Sequence, residues 1–79
     1  MKIEPKDLFV DKGNTVHNSF YIRSGTRDYA ECILGDVILI VEKHPGHESG
    51  FEAWYIMNLN KNFYGCTFTA NIASMCKKV

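Results

Sequence analysis

The stretch GDVILIVEK, residues 35–43, decides the fold class of this 79-residue chain. A Gly-Asp pair typical of a turn precedes an unbroken run of branched aliphatic residues from Val37 to Val41, and Glu42 and Lys43 end that run. Branched aliphatic residues favour strands, and the run is too short and lacks the period of a helix. The stretch therefore predicts a buried strand over residues 37–43.

Composition limits the remaining possibilities. Apolar residues make up 46% of the chain and charged residues 23%, which is typical of one folded domain spanning residues 1–79. Nine Lys and Arg balance nine Asp and Glu. Net charge therefore provides no general attraction to nucleic acid or to an anionic membrane.

Cysteine usage and hydropathy indicate the compartment. Cys32, Cys66 and Cys76 are an odd number without CxxC spacing, and the chain shows no signal-peptide pattern. The apolar run ending at Val41 is far shorter than a membrane span. We expect a cytoplasmic protein without a membrane partner.

The other elements are also short and extended. DLFVD at residues 7–11 predicts a first strand, and an Asn-rich turn at residues 59–62 predicts a hairpin. Residues 12–34 predict a long loop folded as an irregular hairpin. The remaining predictions are strands at 51–58 and 63–69, a helical turn at 71–73 and an edge strand at 74–77. Together they predict an all-β fold, a small five-stranded barrel with a long first loop.

RDYAECILGDVILIVEK, then WYIMN, an Asn-rich turn and GCTFTANIA resemble the core pattern of SH3 domains, and DLFVD corresponds to their opening segment. The resemblance covers nearly the whole chain and implies an SH3-like barrel. It places Trp54 and Phe9 where the family has ligand-binding rings. Thr69 and Ile72 stand where the family has the Pro and Tyr of its peptide shelf, and this departure argues against proline-rich peptides as ligands.

The segment WYIMNLNKNFYGCTFTANIASMCK also resembles the short barrel proteins common in tailed phages. This resemblance implies an origin in a phage or another mobile element, with the host cytoplasm as the place of action. It carries no catalytic motif.

Trp54 is the central candidate for binding. In an alternating strand it shares one face with Glu52 and Ile56. The opposite face holds Phe51, Ala53, Tyr55 and Met57. Taking that odd-numbered face as the core predicts an exposed Trp54, and a half-exposed tryptophan is an effective binding anchor. The alternative is that both faces are partly buried.

The loops supply further candidates. Asp28 and Glu31 in the long loop resemble the acidic residues with which SH3 loops meet basic ligand ends, and the 44–50 loop adds His44 and His47. The two histidines with Glu48 also suggest a metal site, but a third and a fourth ligand are not evident. We therefore expect a solvated turn and no metal or other cofactor.

No catalytic motif is found. Cys66 lies between Tyr64 and Phe68 on one strand face, which predicts a small buried residue and not a nucleophile. The chain contains neither GxSxG nor HExxH. We expect a non-catalytic adaptor or inhibitor that binds a protein partner.

Binding of RNA or single-stranded nucleic acid is the alternative. Four Tyr, five Phe and one Trp could stack on bases beside loop and terminal cations such as Lys43 and Lys61. Acidic residues such as Asp36 and Glu42 lie in the same regions and would repel phosphate. Association of the barrel with a second copy of itself is a further alternative.

Overall fold

A computed structural model of the chain describes residues 2–12, 19–23 and 29–79, with side chains described for residues 2–12 and 34–79. The described elements are strands and one short helix. In chain order they are β1 (Leu8–Asp11), β2 (Ser19–Arg23), β3 (Tyr29–Ile33), β4 (Val37–Lys43), β5 (Ala53–Asn58), β6 (Phe63–Phe68), α1 (Thr69–Met75) and β7 (Cys76–Lys78).

The strands form one antiparallel sheet in the order β3-β2-β6-β5-β4-β1-β7. The meander β4-β5-β6 is its centre, and β1 and β7 extend it on one side. The hairpin β2-β3 extends it on the other side, where Arg23 of β2 pairs with Cys66 of β6. In the described part of the chain the sheet is open, with β3 and β7 at its two edges.

The predicted mostly-β fold with one short helix is confirmed, and the strand expected at 37–43 has the predicted bounds. Strands occupy all five predicted places, and the segment expected to be a long loop folded as an irregular hairpin adds a further pair, β2 and β3, to the sheet. The helix is also longer than the turn expected at 71–73, so the last strand begins at Cys76. Barrel closure would require pairing between the edge strands, and the described sheet ends at both of them.

The core lies on one face of the sheet, here called the inner face. Ile40 and Ile56 pair across β4 and β5, and Phe9 pairs with Ile38 across β1 and β4. Helix α1 covers this face with Ile72. The buried cluster comprises Ile3, Phe9, Ile38, Ile40, Trp54, Ile56, Ile72 and Cys76. Burial of this apolar area is the main stabilising term of the fold.

A β-bulge interrupts the pairing of β4 with β5. Ile40 pairs with Ile56, but Glu42 pairs with Tyr55, so Val41 is the extra residue. Strict alternation would point Glu42 to the same face as Ile40. The bulge shifts the alternation by one residue, so that Glu42 lies on the opposite, outer face of the sheet beside Tyr55.

A buried polar cluster joins the β5–β6 turn to the start of β4. The Asp36 carboxylate accepts hydrogen bonds from Asn58 Nδ2 at 3.0 Å and from Lys61 Nζ at 2.7 Å. Asn58 Oδ1 in turn accepts from the backbone N–H groups of Asn60 at 3.0 Å and Lys61 at 3.1 Å. These bonds satisfy polar groups that would otherwise be buried at a cost. They fix the geometry of the hairpin below the outer face.

Candidate protein-binding surface

Six aromatic side chains form a continuous series on the outer face of β5 and β6 and on the loop before β5. Tyr55 stacks on Tyr64 with ring centroids 6.0 Å apart and on His44 at 5.0 Å. The His44 and His47 rings are 5.5 Å apart. His47 meets Phe68 edge to face at 4.9 Å, and Phe68 meets Phe51 at 6.1 Å. We call Tyr64, Tyr55, His44, His47, Phe68 and Phe51 the outer aromatic surface.

This surface is open to solvent, most strongly at its two ends. Phe51 is 70% exposed and Tyr64 46% exposed, while the four rings between them are half-buried. Cross-strand pairing continues the apolar character beyond the rings, since Tyr64 pairs with Met57, and Met57 pairs with Leu39. Contiguous exposed apolar area of this kind marks sites of interaction.

The loop at residues 44–50 holds its two imidazoles by local hydrogen bonds. His44 Nδ1 accepts from the backbone N–H of Gly46 at 3.1 Å, and His47 Nδ1 accepts from that of Ser49 at 3.1 Å. Gly50, with φ of +82°, ends the loop in a conformation that suits glycine. Because both Nδ1 atoms act as acceptors, the neutral tautomer carries its proton on Nε2. The loop thus presents His44 and His47 in fixed positions within the outer aromatic surface.

Trp54 lies on the inner face, so the expectation of an exposed ring is wrong. The side chain is 5% exposed, and its Nε1–H donates to Thr69 Oγ1 at 2.9 Å. The even-numbered residues of β5 point into the core because Ile56 is paired with Ile40. Trp54 is therefore a core residue that cannot reach a partner without unfolding.

A short chain of polar contacts surrounds the indole. Thr69 Oγ1 donates to Glu52 Oε2 at 2.6 Å, and the Glu52 carboxylate pairs with Lys43 Nζ at 3.2 Å. The hydrogen bond from Thr69, followed by the contacts of Lys43, lowers the pKa of Glu52. Thr69 thus has a structural role at the start of α1, joining the helix to β5.

The other predicted site residues have separate locations. Phe9 and Ile72 are fully buried in the core and do not lie at the surface where a partner-binding residue was expected. Glu31 lies in β3, of which the backbone is described. Asp28 lies outside the described residues. The structure therefore brings together His44 and His47 of the predicted set, with rings that the sequence analysis had assigned to the core.

One carboxylate, that of Glu42, acts on the tyrosine pair at one end of the outer aromatic surface. Partial burial raises the pKa of Tyr64, and the negative charge of Glu42 raises it further. Cys66, which pairs with Tyr55, is half-buried, and burial raises the pKa of its thiol. Neither change prepares a nucleophile, because both groups are held in their neutral forms at neutral pH. These side chains can therefore contact another molecule through their rings and through the Glu42 carboxylate.

Among the side chains described at residues 2–12 and 34–79, no three His, Cys, Asp or Glu groups gather as a metal site would require. No helix in the described part of the chain combines the length and apolar character needed to cross a membrane.

Comparison of the chain with protein-family models, with curated proteins and with solved structures gives no match.

Proposed function

We propose that this protein is a small non-catalytic binding module, acting as an adaptor or inhibitor, whose partner is a protein that docks on the outer aromatic surface. The observation that carries the proposal is the series of six rings in mutual contact on a face that the core does not use. Folding needs one apolar face of the sheet, and the inner face already provides it. The rings on the second face are explained by contact with another molecule.

Aromatic rings suit this role for a physical reason. A tyrosine or phenylalanine buries a large area while only two side-chain torsions are fixed, and such residues are enriched among the strongest contacts of protein interfaces. The rings here already support one another, and β5 beneath them is paired with β4 on one side and with β6 on the other. Little conformational entropy is therefore lost on binding.

Part of the described positive charge is already paired, which favours a protein over a nucleic acid. Of the seven lysines whose side chains are described, three form ion pairs: Lys43 with Glu52, Lys61 with Asp36 and Lys78 with Asp7. Glu42 lies beside the tyrosine pair, where it would repel a phosphate backbone. Nucleic-acid binding is the second candidate, and the stacked Tyr55 and Tyr64 are the feature that favours it.

The fold that we propose for this module is an SH3-like barrel. Support comes from the strand order β7-β1-β4-β5-β6, from the β2-β3 hairpin inserted between β1 and β4, and from the single helix before the last strand. The same proposal includes an origin in a phage or mobile element and action in the host cytoplasm, on the sequence pattern alone.

The proposal is tested by capturing partners from the native cell with three purified forms of the protein. These are the wild type, the double variant Tyr55→Ala/Tyr64→Ala, and the control Leu34→Ala. Leu34 is a matched control because it is 64% exposed and apolar but lies in the turn before β4. A partner of the outer aromatic surface is captured by the wild type and by the control, and is lost with the tyrosine variant.

Calorimetry with the purified partner then gives the affinities. We expect the tyrosine variant to bind at least about tenfold more weakly, which corresponds to about 1.4 kcal/mol and is modest for two interface rings. Equal affinities for the wild type and the tyrosine variant would show that the partner docks elsewhere.

Two further measurements separate the alternatives. Binding of a mixed-sequence single-stranded oligonucleotide, measured at about 50 and 200 mM salt, would be strong and steeply salt-dependent for a nucleic-acid-binding protein. Sedimentation equilibrium of the wild type and the tyrosine variant would show a concentration-dependent dimer, lost in the variant, if the surface binds a second copy of the chain.

A further inference from the structure

Glu42 lies beside the outer aromatic surface, and its position there depends on the β-bulge in β4. The bulge at Val41 places Glu42 opposite Tyr55 on the outer face, whereas regular alternation would direct it inward. Bulges commonly redirect a side chain at functional sites. The carboxylate is thereby added to the outer face beside the ring of Tyr55.

Glu42 has no described cation as a partner. The adjacent Lys43 pairs with Trp54 in the strand register and directs its ammonium group to Glu52, at 3.2 Å. Among the side chains described at residues 2–12 and 34–79, no ammonium or imidazolium group forms an ion pair with Glu42. Within this part of the chain, the Glu42 carboxylate is exposed and is not engaged in an ion pair.

The two tyrosine rings beside this carboxylate also attract cations. Tyr55 and Tyr64 lie nearly parallel, with an interplanar angle of 10°, and Tyr64 is the more exposed of the two. The face of a tyrosine ring carries partial negative charge and attracts a guanidinium or ammonium group. A planar guanidinium can stack on the ring and donate hydrogen bonds to a nearby carboxylate at the same time.

The geometry points to a cation-binding subsite formed by Glu42, Tyr55 and Tyr64, which accepts an arginine or lysine side chain of the protein partner. This inference rests on the proposed function, since it names the chemistry of a ligand for the same surface. The subsite distinguishes basic segments from neutral ones of equal apolar character. Arginine is the better fit, because its flat group satisfies the ring and the carboxylate together.

Selection from a random 12-residue peptide library tests the subsite without knowledge of the natural partner. The library is selected on the wild type and counter-selected on Tyr55→Ala/Tyr64→Ala, so that the retained peptides depend on the outer aromatic surface. We expect these peptides to share an arginine or lysine at one position. Replacing that arginine by citrulline, which keeps the shape and removes the charge, should weaken binding about five- to tenfold.

Glu42→Gln should weaken the binding of the arginine peptides by a similar factor and leave the binding of their citrulline forms unchanged. Glu4→Gln is the matched control. Glu4 is exposed and lies before β1, and its replacement changes the net charge by the same amount. Both variants should unfold at the wild-type temperature by circular dichroism, because neither carboxylate is buried.

Two outcomes would overturn the inference in different ways. Tyrosine-dependent peptides that are neutral and insensitive to Glu42→Gln would remove the subsite while leaving the binding surface in place. A selection that yields no tyrosine-dependent peptide would count against both the subsite and the proposed function.

Discussion

Replacing Trp54 tests which face of β5 is the core. The indole is 5% exposed and contacts the inner-face cluster, and its Nε1–H is bonded to Thr69. A domain of 79 residues has a total stability of about 4–12 kcal/mol. Truncation of a buried tryptophan to alanine costs about 3–5 kcal/mol, so Trp54→Ala should remove a large part of that stability.

Trp54→Phe should lower the free energy of unfolding by a smaller amount that can be measured in a folded protein. It removes one hydrogen bond and part of the ring, which together should cost about 1–3 kcal/mol. In a domain of this size each kcal/mol lowers Tm by about 4–8 °C, so we expect a decrease of about 5–20 °C. Tyr64→Ala on the outer face should cost less than about 1 kcal/mol, because the ring is 46% exposed.

Urea and thermal unfolding should be followed by far-ultraviolet circular dichroism, since Trp54 is the sole tryptophan and its fluorescence is lost in the variants. The decisive result is the order of the two variants. If Tyr64→Ala is more destabilising than Trp54→Phe, the assignment of the inner and outer faces is reversed and the proposed binding surface is the core.

Three other outcomes follow from individual side chains. Asn58→Ala should lower the free energy of unfolding in urea by more than about 2 kcal/mol, because an aspartate and two turn N–H groups lose their buried partner. Glu52→Gln should lower Tm at pH 7, and this effect should diminish as the pH falls below 4.5. Folding lowers the pKa of Glu52 from 4.5, so its contribution is complete above that value and is lost as the pH falls through the lower pKa of the folded state. In a Cys32→Ser background, mass spectrometry should find Cys66 alkylated well before Cys76, because burial raises the pKa of the Cys76 thiol to about 12 and excludes the reagent.

The strands themselves could be predicted because their signals are local. The aliphatic run of β4 and the Asn-rich turn between β5 and β6 each define an element without reference to the rest of the chain. The segment containing β2 and β3 could not be predicted in the same way. Its strands take their positions from pairing with each other and with β6, which is a long-range property of the sheet.

The orientation of β5 was predicted wrongly for a related reason. Apolar residues occupy both faces of this strand, with Tyr55 and Met57 on one side and Trp54 and Ile56 on the other, so alternation alone does not identify the core. Asn58 adds to the ambiguity, because it has the character of a turn residue but is fully buried in a polar cluster. The pairing of Ile40 with Ile56 fixes the orientation, and that pairing is visible only in the assembled sheet.

The bulge at Val41 links the two faces of the sheet. Residues before it follow the alternation that buries Ile38 and Ile40, and residues after it follow the opposite alternation. One extra residue thus allows a single strand to support the core at its start and to place Glu42 among exposed rings at its end. Regular pairing that kept Val41 would place Val41 opposite Tyr55 and Glu42 opposite the buried Trp54, where an unpaired charge is costly. The irregularity in the pairing of β4 with β5 is therefore the feature that places Glu42 beside Tyr55 on the outer face.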